Sequence, residues 1–526
     1  MAGAAQMQEE VREGPGAPVS DEKADVALLP VANHWLLAIG IMLATLLQIL
    51  DTTIANVAIP HMQATLGATP DEISWVLTSY IVASAVAMPA TGWLADKIGS
   101  RRLFIIAVAS FILTSMLCGM AQDIEQMVLF RALQGVAGAF ISPLSQAAMI
   151  DTSPPSRHAR MIALWGMGVM VGPILGPIVG GWLTENWNWR AVFYVNVPLG
   201  LIALAILLAG LPHRPAKSRK FDLFGFACVG IMLASFQLLL DRGNHVDWFD
   251  SAETWLYTGL AISTAWMAGV HFVTRRDALF DRQLFVDRSF LSANLLMFVM
   301  GMVMFAVMVL LPPMLQHLFG YDVIRTGVTL MPRGIGVLIS MQVTSVALSR
   351  GVDPRKLVAT GFLIVGYSCY IMTGWSLAVD QQQVIVAGLI QGLGMGLAFI
   401  PLNTMAFSTL APRLRTEGAS VFNLSRSMGS SVGISLAMTF LARNVQVNHS
   451  ELSENITATT FGVVDLSQVD RYGDLGGGLM AMLDGEVNRQ AAMIAYVDDF
   501  YVMALMSLVA APLVFLAARP KRPTGA

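Results

Sequence analysis

Residues 33–60 have the sequence NHWLLAIGIMLATLLQILDTTIANVAIP. A helix of about 20 mostly apolar residues is long enough to cross the hydrocarbon core of a bilayer. Similar stretches recur along the chain, near 72–94, 103–121, 127–149, 160–182, 191–211, 222–240, 252–273, 289–315, 326–348, 357–377, 384–409, 418–441 and 498–518. The sequence therefore predicts an all-α polytopic membrane protein with fourteen transmembrane helices.

The composition agrees with a membrane protein and excludes other classes. Of the 526 residues 55% are hydrophobic and only 13% are charged, with a mean hydropathy of +0.63, whereas soluble domains carry about 25% charged residues. The net charge of −3 and the absence of a basic stripe argue against nucleic acid as a partner. Cys118, Cys228 and Cys369 fall in apolar stretches without a CxxC spacing, so we expect small buried hydrophobic residues rather than disulfides.

The distribution of Lys and Arg predicts the orientation. Basic loops are retained on the cytoplasmic side of a membrane. With both termini in the cytoplasm, the loops on that side carry Lys97, Arg101, Arg102, Arg157, Arg160, Arg214, Lys217, Arg219, Lys220, Arg275, Arg276, Arg350, Arg355, Lys356, Arg413 and Arg415. The loops on the other side are nearly free of basic residues.

Two segments echo each other at an offset of about 250 residues, LQGVAGAFISPL at 133–144 and IQGLGMGLAFIPL at 390–402. A weaker echo pairs AIPHMQATLG at 58–67 with LLPPMLQHLFG at 310–320. The echoes suggest two duplicated six-helix bundles that rock about a site at the membrane midplane, although similar small-residue composition can also produce such matches.

The predicted domain organisation follows from these spans. It consists of a disordered cytoplasmic tail at 1–30, an N-terminal six-helix bundle at 31–211, a basic linker with two extra transmembrane helices at 212–288, a C-terminal six-helix bundle at 289–519 with an outer loop at 442–497, and a cytoplasmic tail at 520–526.

Asp51 is the one acid that we place well inside a span. Gln48, Asp51 and Asn56 form a polar stripe on the first helix, and Arg131 and Gln134 belong to a second stripe on the fourth helix. Because a carboxylate in hydrocarbon costs several kcal/mol, Asp51 is a functional candidate. We hypothesise that Asp51 binds a coupling proton and that Arg131 favours the ionised form; a static ion pair is the alternative.

Other polar residues are assigned to a substrate cavity from helical phase alone. They are Gln48, Asn56, Gln134, Gln146, Gln391, Asn403, Asn423 and Arg426. Arg333 and Arg426 are further cations in the second half, and each can instead lie near a membrane interface.

The fifth span, MIALWGMGVMVGPILGPIVGGWL at 161–183, carries glycines four residues apart and two prolines. The glycines form a bare ridge that a neighbouring helix can approach closely, and the prolines interrupt the backbone hydrogen bonds. We expect a pivot at Gly168, Gly172, Pro173, Gly176, Pro177 and Gly180.

The loop GWLADKIGSRR at 92–102 predicts a conformational latch. Asp96 can pair with Arg101 and Arg102 or with a helix N-terminus of the opposite half, and Gly92 and Gly99 allow a tight turn. The alternative is that the basic residues only set the topology.

These motifs resemble those of the major facilitator superfamily, and within it the fourteen-helix drug:proton antiporters of the EmrB/QacA type. GWLADKIGSRR is similar to the superfamily loop motif, apart from Lys97 and Ser100, LDTTIANVAIP to the first-helix motif, RALQG to the fourth-helix motif and GPILGPIVGG to the fifth-helix antiporter motif. NWRAVFYVNVPLG is similar to the branch's entry to the sixth helix, and LLLDRGNHVDWFDS and NRQAAMIAYVDDF look more EmrB-like than QacA-like. The loop of the second half, SRGVDPRKL, departs from the motif.

The resemblance implies proton-coupled export of hydrophobic or amphipathic small molecules, such as drugs, by alternating access. It also implies a place in the inner membrane, with a membrane-fusion adaptor protein and an outer-membrane channel as partners beside the lipid bilayer. The alternatives are proton-linked uptake or facilitated diffusion of a metabolite, and a membrane sensor that transports nothing.

We expect neither an enzyme nor a metal site. GSSVG at 429–433 matches a nucleophile motif only on paper because it lies within a span. The eight His residues show no metal-ligand spacing, and GLGMG at 392–396 lacks the Lys of an ATP-binding loop. We therefore expect no cofactor, with a proton gradient as the energy source.

Overall fold

The computed structural model describes residues 27–517 except 32, 214–219, 244–245, 247, 276 and 455–473. This part of the chain is helical and contains no β-strand. The helices are α1 His34–Leu66, α2 Pro70–Ala87, α3 Thr91–Ile98, α4 Ser100–Met120, α5 Ile124–Ala139, α6 Ile141–Asp151, α7 His158–Asn186, α8 Ala191–Tyr194, α9 Asn196–Gly210, α10 Leu223–Arg242, α11 Ala252–Thr274, α12 Arg282–Val286, α13 Arg288–Pro313, α14 Val323–Ser349, α15 Pro354–Met372, α16 Gln381–Ser408, α17 Arg415–Glu454 and α18 Asp474–Leu513.

The helices confirm the prediction of an all-α, multi-pass membrane protein. Among the described residues, eleven helical segments are long and apolar enough to cross a membrane, and the bent α7 makes a twelfth. α15 and α17 pack within the bundle but are not among these apolar spans. The structure is thus compatible with fourteen spans, and that count stays a prediction.

The helices refine two of the predicted boundaries, and the division into domains stays a prediction. The outer loop expected at 442–497 is largely helical, since α17 continues to Glu454 and α18 begins at Asp474. Hydropathy locates only the part of a helix that lies in hydrocarbon, while residues 442–454 lack Gly and Pro and let α17 continue. The tail expected to be disordered through residue 30 is ordered at its end, where the Leu29 N–H donates to the Asp151 carbonyl at 2.9 Å. Residues 1–26 and 518–526 lie outside the described residues, as do the basic linker residues 214–219.

Helix contacts concentrate in two groups. In the first, α1 packs against α7 and α9, and α5 packs against α2 and α4. In the second, α16 packs against α14 and α15, while α17 packs against α13 and α18. The groups meet where α7 contacts α14 and where α6 contacts α17, and α10 contacts both α2 and α17. We call them the first and second halves.

A matching pair of contacts supports the internal duplication. In the first half the Cys118 thiol lies 3.5 Å from Gln134 Oε1, between α4 and α5. In the second half Gln391 Nε2 lies 3.6 Å from Cys369 Sγ, between α15 and α16. Gln134 and Gln391 are the residues that the sequence echo aligns. The same pair of side chains therefore joins corresponding helices in each half.

The glycine ridge of α7 packs against α1, the helix that carries Asp51. A Cβ atom added at Gly168 would lie 2.9 Å from Met42 Cγ, and one at Gly172 would lie 2.7 Å from Ile49 Cγ2. Gly176 and Gly180 approach Thr53 and Ile54 in the same way. α7 is bent at its first proline: the part up to Pro173 and the part from Leu175 differ in direction by 42°.

The inserted helices α10 and α11 are joined at one end by Asp222. Its carboxylate caps α10 by accepting from the Gly225 N–H, and it also accepts from the Leu279 N–H and contacts His271 Nε2 at 2.8 Å. Burial raises the pKa of Asp222, but these hydrogen bonds outweigh it and hold this pKa below its ordinary value. One carboxylate thus fixes both helices to the segment that leads into the second half.

We expect Gly172→Ala to destabilise the protein by about 1–3 kcal/mol, because the added methyl group would overlap Ile49 and force α7 away from α1. The matched control is Gly259→Ala on α11, where no atom lies within 4 Å of an added Cβ. Chemical unfolding of the purified protein measures both. Equal stability of the two variants would contradict close packing at the ridge.

Candidate functional site

A buried ion pair joins α1 to α5. Arg131 Nη1 lies 2.6 Å from Asp51 Oδ2, and the two side chains are 0% and 1% exposed. The contact that the sequence predicted between these residues is therefore present.

Two side-chain amides donate hydrogen bonds to the other oxygen of the Asp51 carboxylate. Asp51 Oδ1 accepts from Gln134 Nε2 at 2.9 Å and from Asn196 Nδ2 at 2.6 Å. A charged carboxylate offers only acceptors, and here both oxygens face donors. The arrangement therefore matches the ionised form of Asp51.

Arg131 is held by two carbonyl groups and two aromatic rings. Its Nε donates to the Val76 carbonyl at 3.1 Å and its Nη1 to Gln134 Oε1 at 2.8 Å. The guanidinium carbon lies 4.4 Å from the ring centroid of Tyr80 and 5.8 Å from that of Phe193. Cation–π contact stabilises a desolvated guanidinium. Arg131 Nη2 has no hydrogen-bond partner within the described ranges.

Four predicted cavity residues form one polar cluster between the halves. Gln146 of α6 donates to Asn403 of α16 and accepts from Asn423 Nδ2 of α17 at 2.6 Å. Arg426 Nη2 donates to Asn423 Oδ1 at 3.3 Å. We call these residues the amide cluster. Because their polar groups bind one another, they close the space between α6 and α17 in this conformation.

The other predicted cavity residues lie apart from the amide cluster. Gln48 accepts from the Ser142 hydroxyl at 2.7 Å, which ties α1 to α6. Gln134 belongs to the ion-pair site, Gln391 lies beside Cys369 within the second half, and Asn56 is exposed. Helical phase alone therefore grouped residues that the fold separates into several places.

The halves also meet at the end of the bundle that carries the basic loops, which we call the basic end. Arg415 Nη1 of α17 lies 2.8 Å from Asp151 Oδ1 of α6, and the Ser420 hydroxyl donates to the Met88 carbonyl at 2.6 Å. A Cβ at Gly92 would lie 3.1 Å from Glu417 Cβ. These contacts hold the basic end closed.

The predicted latch residues lie beside this seam. Gly99 has φ of +90°, a conformation that favours glycine, and it ends α3 after Asp96. Arg101 Nη2 donates to the Leu208 carbonyl of α9 at 2.7 Å, so it binds its own half, while Arg102 is exposed. The cross-half contacts are made by Gly92 and its neighbours, and the latch role of the loop stays a prediction.

Sequence analysis missed two residues. Asp499 on α18 is 1% exposed, and its carboxylate oxygens have no hydrogen-bond partner in the described part of the chain. It was missed because the polar residues before 498 put it at the edge of the predicted span. The expectation that Asp51 is the one acid well inside a span therefore does not hold.

Asn196 lies in the segment NWRAVFYVNVPLG but was not assigned to the site. A polar amide at the start of the apolar helix α9 was the feature of the sequence that could have identified it.

These features define a class of protein: a polytopic membrane protein whose two related halves enclose buried charges and meet at one closed end, as in secondary transporters. The family model of the Major Facilitator Superfamily matches residues 41–434. The chain belongs to the major facilitator superfamily.

The similar proteins agree over nearly the whole chain. The probable multidrug resistance protein EmrY of Escherichia coli (strain K12) is 32% identical over 95% of this chain and 98% of its own length. The multidrug export protein EmrB of the same organism is 31% identical over 93% of this chain and 96% of its own length. The fatty acid resistance protein FarB of Neisseria gonorrhoeae is 32% identical over 93% of this chain and 97% of its own length. The solved structure of the proton:xylose symporter XylE shares the fold, with a TM-score of 0.61 at 11% identity over 92% of this chain and 95% of that chain.

We expect Arg131→Met to destabilise the protein by about 3–5 kcal/mol, because it leaves the Asp51 carboxylate buried without a counter-ion. Adding Asp51→Asn should restore most of that loss. Unfolding of the single and double variants measures the coupling between the two residues. Additive effects would show that the pair contributes no interaction of its own.

Proposed function

We propose that this protein exports hydrophobic or amphipathic small molecules, including drugs, across the inner membrane in exchange for protons. The observation that carries the proposal is the buried Asp51–Arg131 ion pair, a titratable group at membrane depth in a bundle with two halves. The names of the similar EmrB and EmrY proteins support drug export, and the name of FarB supports amphipathic substrates.

The proton acts on the ion pair. When Asp51 takes up a proton, its attraction to Arg131 falls to that of a neutral hydrogen bond, and the guanidinium is free to move. Asp51 lies on α1, and α1 contacts the glycine ridge of α7. Each proton that enters supplies about 2.3 kcal/mol per 100 mV of membrane potential.

Movement of α7 reaches the second half directly. A Cβ at Gly327 of α14 would lie 2.7 Å from Ile178 Cγ1 of α7, and one at Gly181 would lie 3.1 Å from Val323 Cγ1. Such close packing transmits a displacement because interiors resist compression. α7 therefore links the proton site to the interface between the halves.

The proposed orientation follows the positive-inside rule, with both termini and the basic end in the cytoplasm. In this mechanism a closed basic end belongs to the stage after substrate release, before Asp51 takes up a proton. Beyond the membrane, the C-terminal end of α17 and the N-terminal end of α18 offer a surface for a membrane-fusion adaptor that leads to an outer-membrane channel.

Proton coupling is tested with Asp51→Asn in proteoliposomes. We expect the variant to lose uphill substrate movement driven by a pH gradient while it keeps downhill exchange, because the amide cannot carry a proton. Asp51→Glu should keep part of the coupling, and Asp71→Asn, at an exposed carboxylate on α2, is the control.

Uphill transport by Asp51→Asn with unchanged pH dependence would refute Asp51 as the proton site. Substrate that moves in the same direction as protons would instead establish uptake and overturn the export assignment.

The seam at the basic end is tested by cysteine labelling. We expect Arg415→Ala to raise the maleimide labelling rate of Thr152→Cys by about tenfold or more. Loss of a charged hydrogen bond across the halves costs about 1.5–3 kcal/mol, and about 1.4 kcal/mol corresponds to a factor of ten. Arg413→Ala is the matched control, because Arg413 pairs with Asp281 at 2.8 Å without contacting the first half through that bond. Equal labelling in both variants would show that the Asp151–Arg415 pair does not hold the seam.

A further inference from the structure

The second half contains a counterpart of the ion-pair site in which the acid is missing. Cys369 and Gln391 repeat the contact of Cys118 and Gln134. The echo that aligns Pro60 with Pro312, an offset of 252 residues, places Val303 opposite Asp51. An apolar stretch of α13 therefore occupies the place of the carboxylate.

A guanidinium enters this site from another helix. Arg333 of α14 donates from Nη2 to the Met304 carbonyl of α13 at 3.1 Å and contacts Met395 Sδ of α16 at 3.6 Å. A Cβ at Gly388 of α16 would lie 3.6 Å from Arg333 Cβ, so the two helices are close here. The two hydrogen-bond partners of the Arg333 guanidinium, the Met304 carbonyl and the Met395 thioether, are neutral groups.

Arg333 has no carboxylate within ion-pair distance among the residues that the structure describes. An arginine side chain does not lose its charge in proteins, and a lone cation at membrane depth is costly. Arg131, in the first half, has Asp51 to offset the same cost. The charge of Arg333 is uncompensated until an anion arrives.

Gln391 is a second unsatisfied group in this part of the second half, because it lies on α16 between Gly388 and Gly392, the two glycines that approach Arg333. Its side chain is 0% exposed, and its Oε1 atom has no hydrogen-bond partner within the described ranges. Rotation of the amide by 180° exchanges oxygen and nitrogen, and the thiol of Cys369 can then donate to the oxygen. The amide N–H groups become available to an acceptor.

We propose that Arg333 and Gln391 bind the negatively charged head group of an amphipathic substrate, a carboxylate in the first instance. Arg333 is only partly buried, which leaves N–H groups accessible to a ligand. Met304 and Met395 beside it supply flexible apolar contacts for the hydrophobic body. The inference rests on the proposed export function and names anionic amphiphiles as its preferred substrates.

The test compares three ligands with the same chain and different head groups, decanoate, decanol and decylamine. Binding is measured by competition against radiolabelled decanoate with the full chain in nanodiscs at pH 7.5. The wild type should prefer decanoate to decylamine by at least tenfold. Arg333→Gln should weaken decanoate binding at least tenfold and change decanol binding by less than twofold.

Arg333→Lys keeps the charge but loses the planar fork, so we expect an intermediate affinity for decanoate. Arg325→Gln, an arginine in the first turn of α14 that stacks on Tyr321, is the control for loss of one positive charge. A pH series on the wild type needs no variant: the preference for decanoate over decanol should disappear below about pH 4, where the ligand carboxyl is protonated.

Equal losses of decanoate and decanol binding in Arg333→Gln would overturn the proposal, as would wild-type binding of decylamine as tight as that of decanoate. The competition of decanoate, decanol and decylamine is measured on the wild type at one fixed pH without a gradient, so its outcome does not depend on proton coupling. Failure of the Asp51 transport test with an intact decanoate preference would therefore refute coupling alone, and the reverse result would refute the substrate class alone.

Discussion

The desolvation of two charges organises the first half of this protein. Burying a carboxylate and a guanidinium costs several kcal/mol for each ion, and their attraction repays that cost only when the remaining donors and acceptors are also satisfied. Asp51 and Arg131 meet this condition through Gln134, Asn196 and the Val76 carbonyl. The helices that supply these groups, α1, α2, α5 and α9, are therefore held around one point whose stability depends on the charge of Asp51.

The two halves share a framework but divide the chemistry between them. The Cys–Gln contact is present in both, at 3.5 Å and 3.6 Å. The first half adds an acid and an arginine that neutralise each other. In the second half, within the described residues, the Arg333 guanidinium hydrogen-bonds only to a carbonyl and a thioether. A compensated pair suits a site that is switched by a proton, and an uncompensated cation suits a site that is completed by a ligand.

Much of the site could be predicted from sequence because a charge in an apolar helix is visible without a structure. Asp51 and Arg131 were found in this way, and the glycine ridge was found from the four-residue spacing of its glycines. Asn196 and Asp499 were not found from the sequence. Asn196 matters because it donates to Asp51 from another helix, which only the fold shows. Asp499 is buried, but its polar neighbours in the sequence hid that burial. Helical phase placed Gln146, Asn403 and Asn423 on inward faces, but only the fold shows that they bind one another.

The nearly continuous segment α5–α6 connects the Asp51–Arg131 ion pair to the seam at the basic end. Arg131 and Gln134 lie in the middle of α5, while Gln146 and Asp151 lie in α6 and contact the second half. Twenty residues at 1.5 Å each separate Arg131 from Asp151, about 30 Å along the axis. A small tilt at Arg131 therefore becomes a displacement of several ångströms at Asp151, which is enough to break hydrogen bonds of 2.6–2.8 Å there. Because α5 and α6 form one nearly continuous backbone, the proposed protonation of Asp51 would open the far seam without a separate relay of side chains.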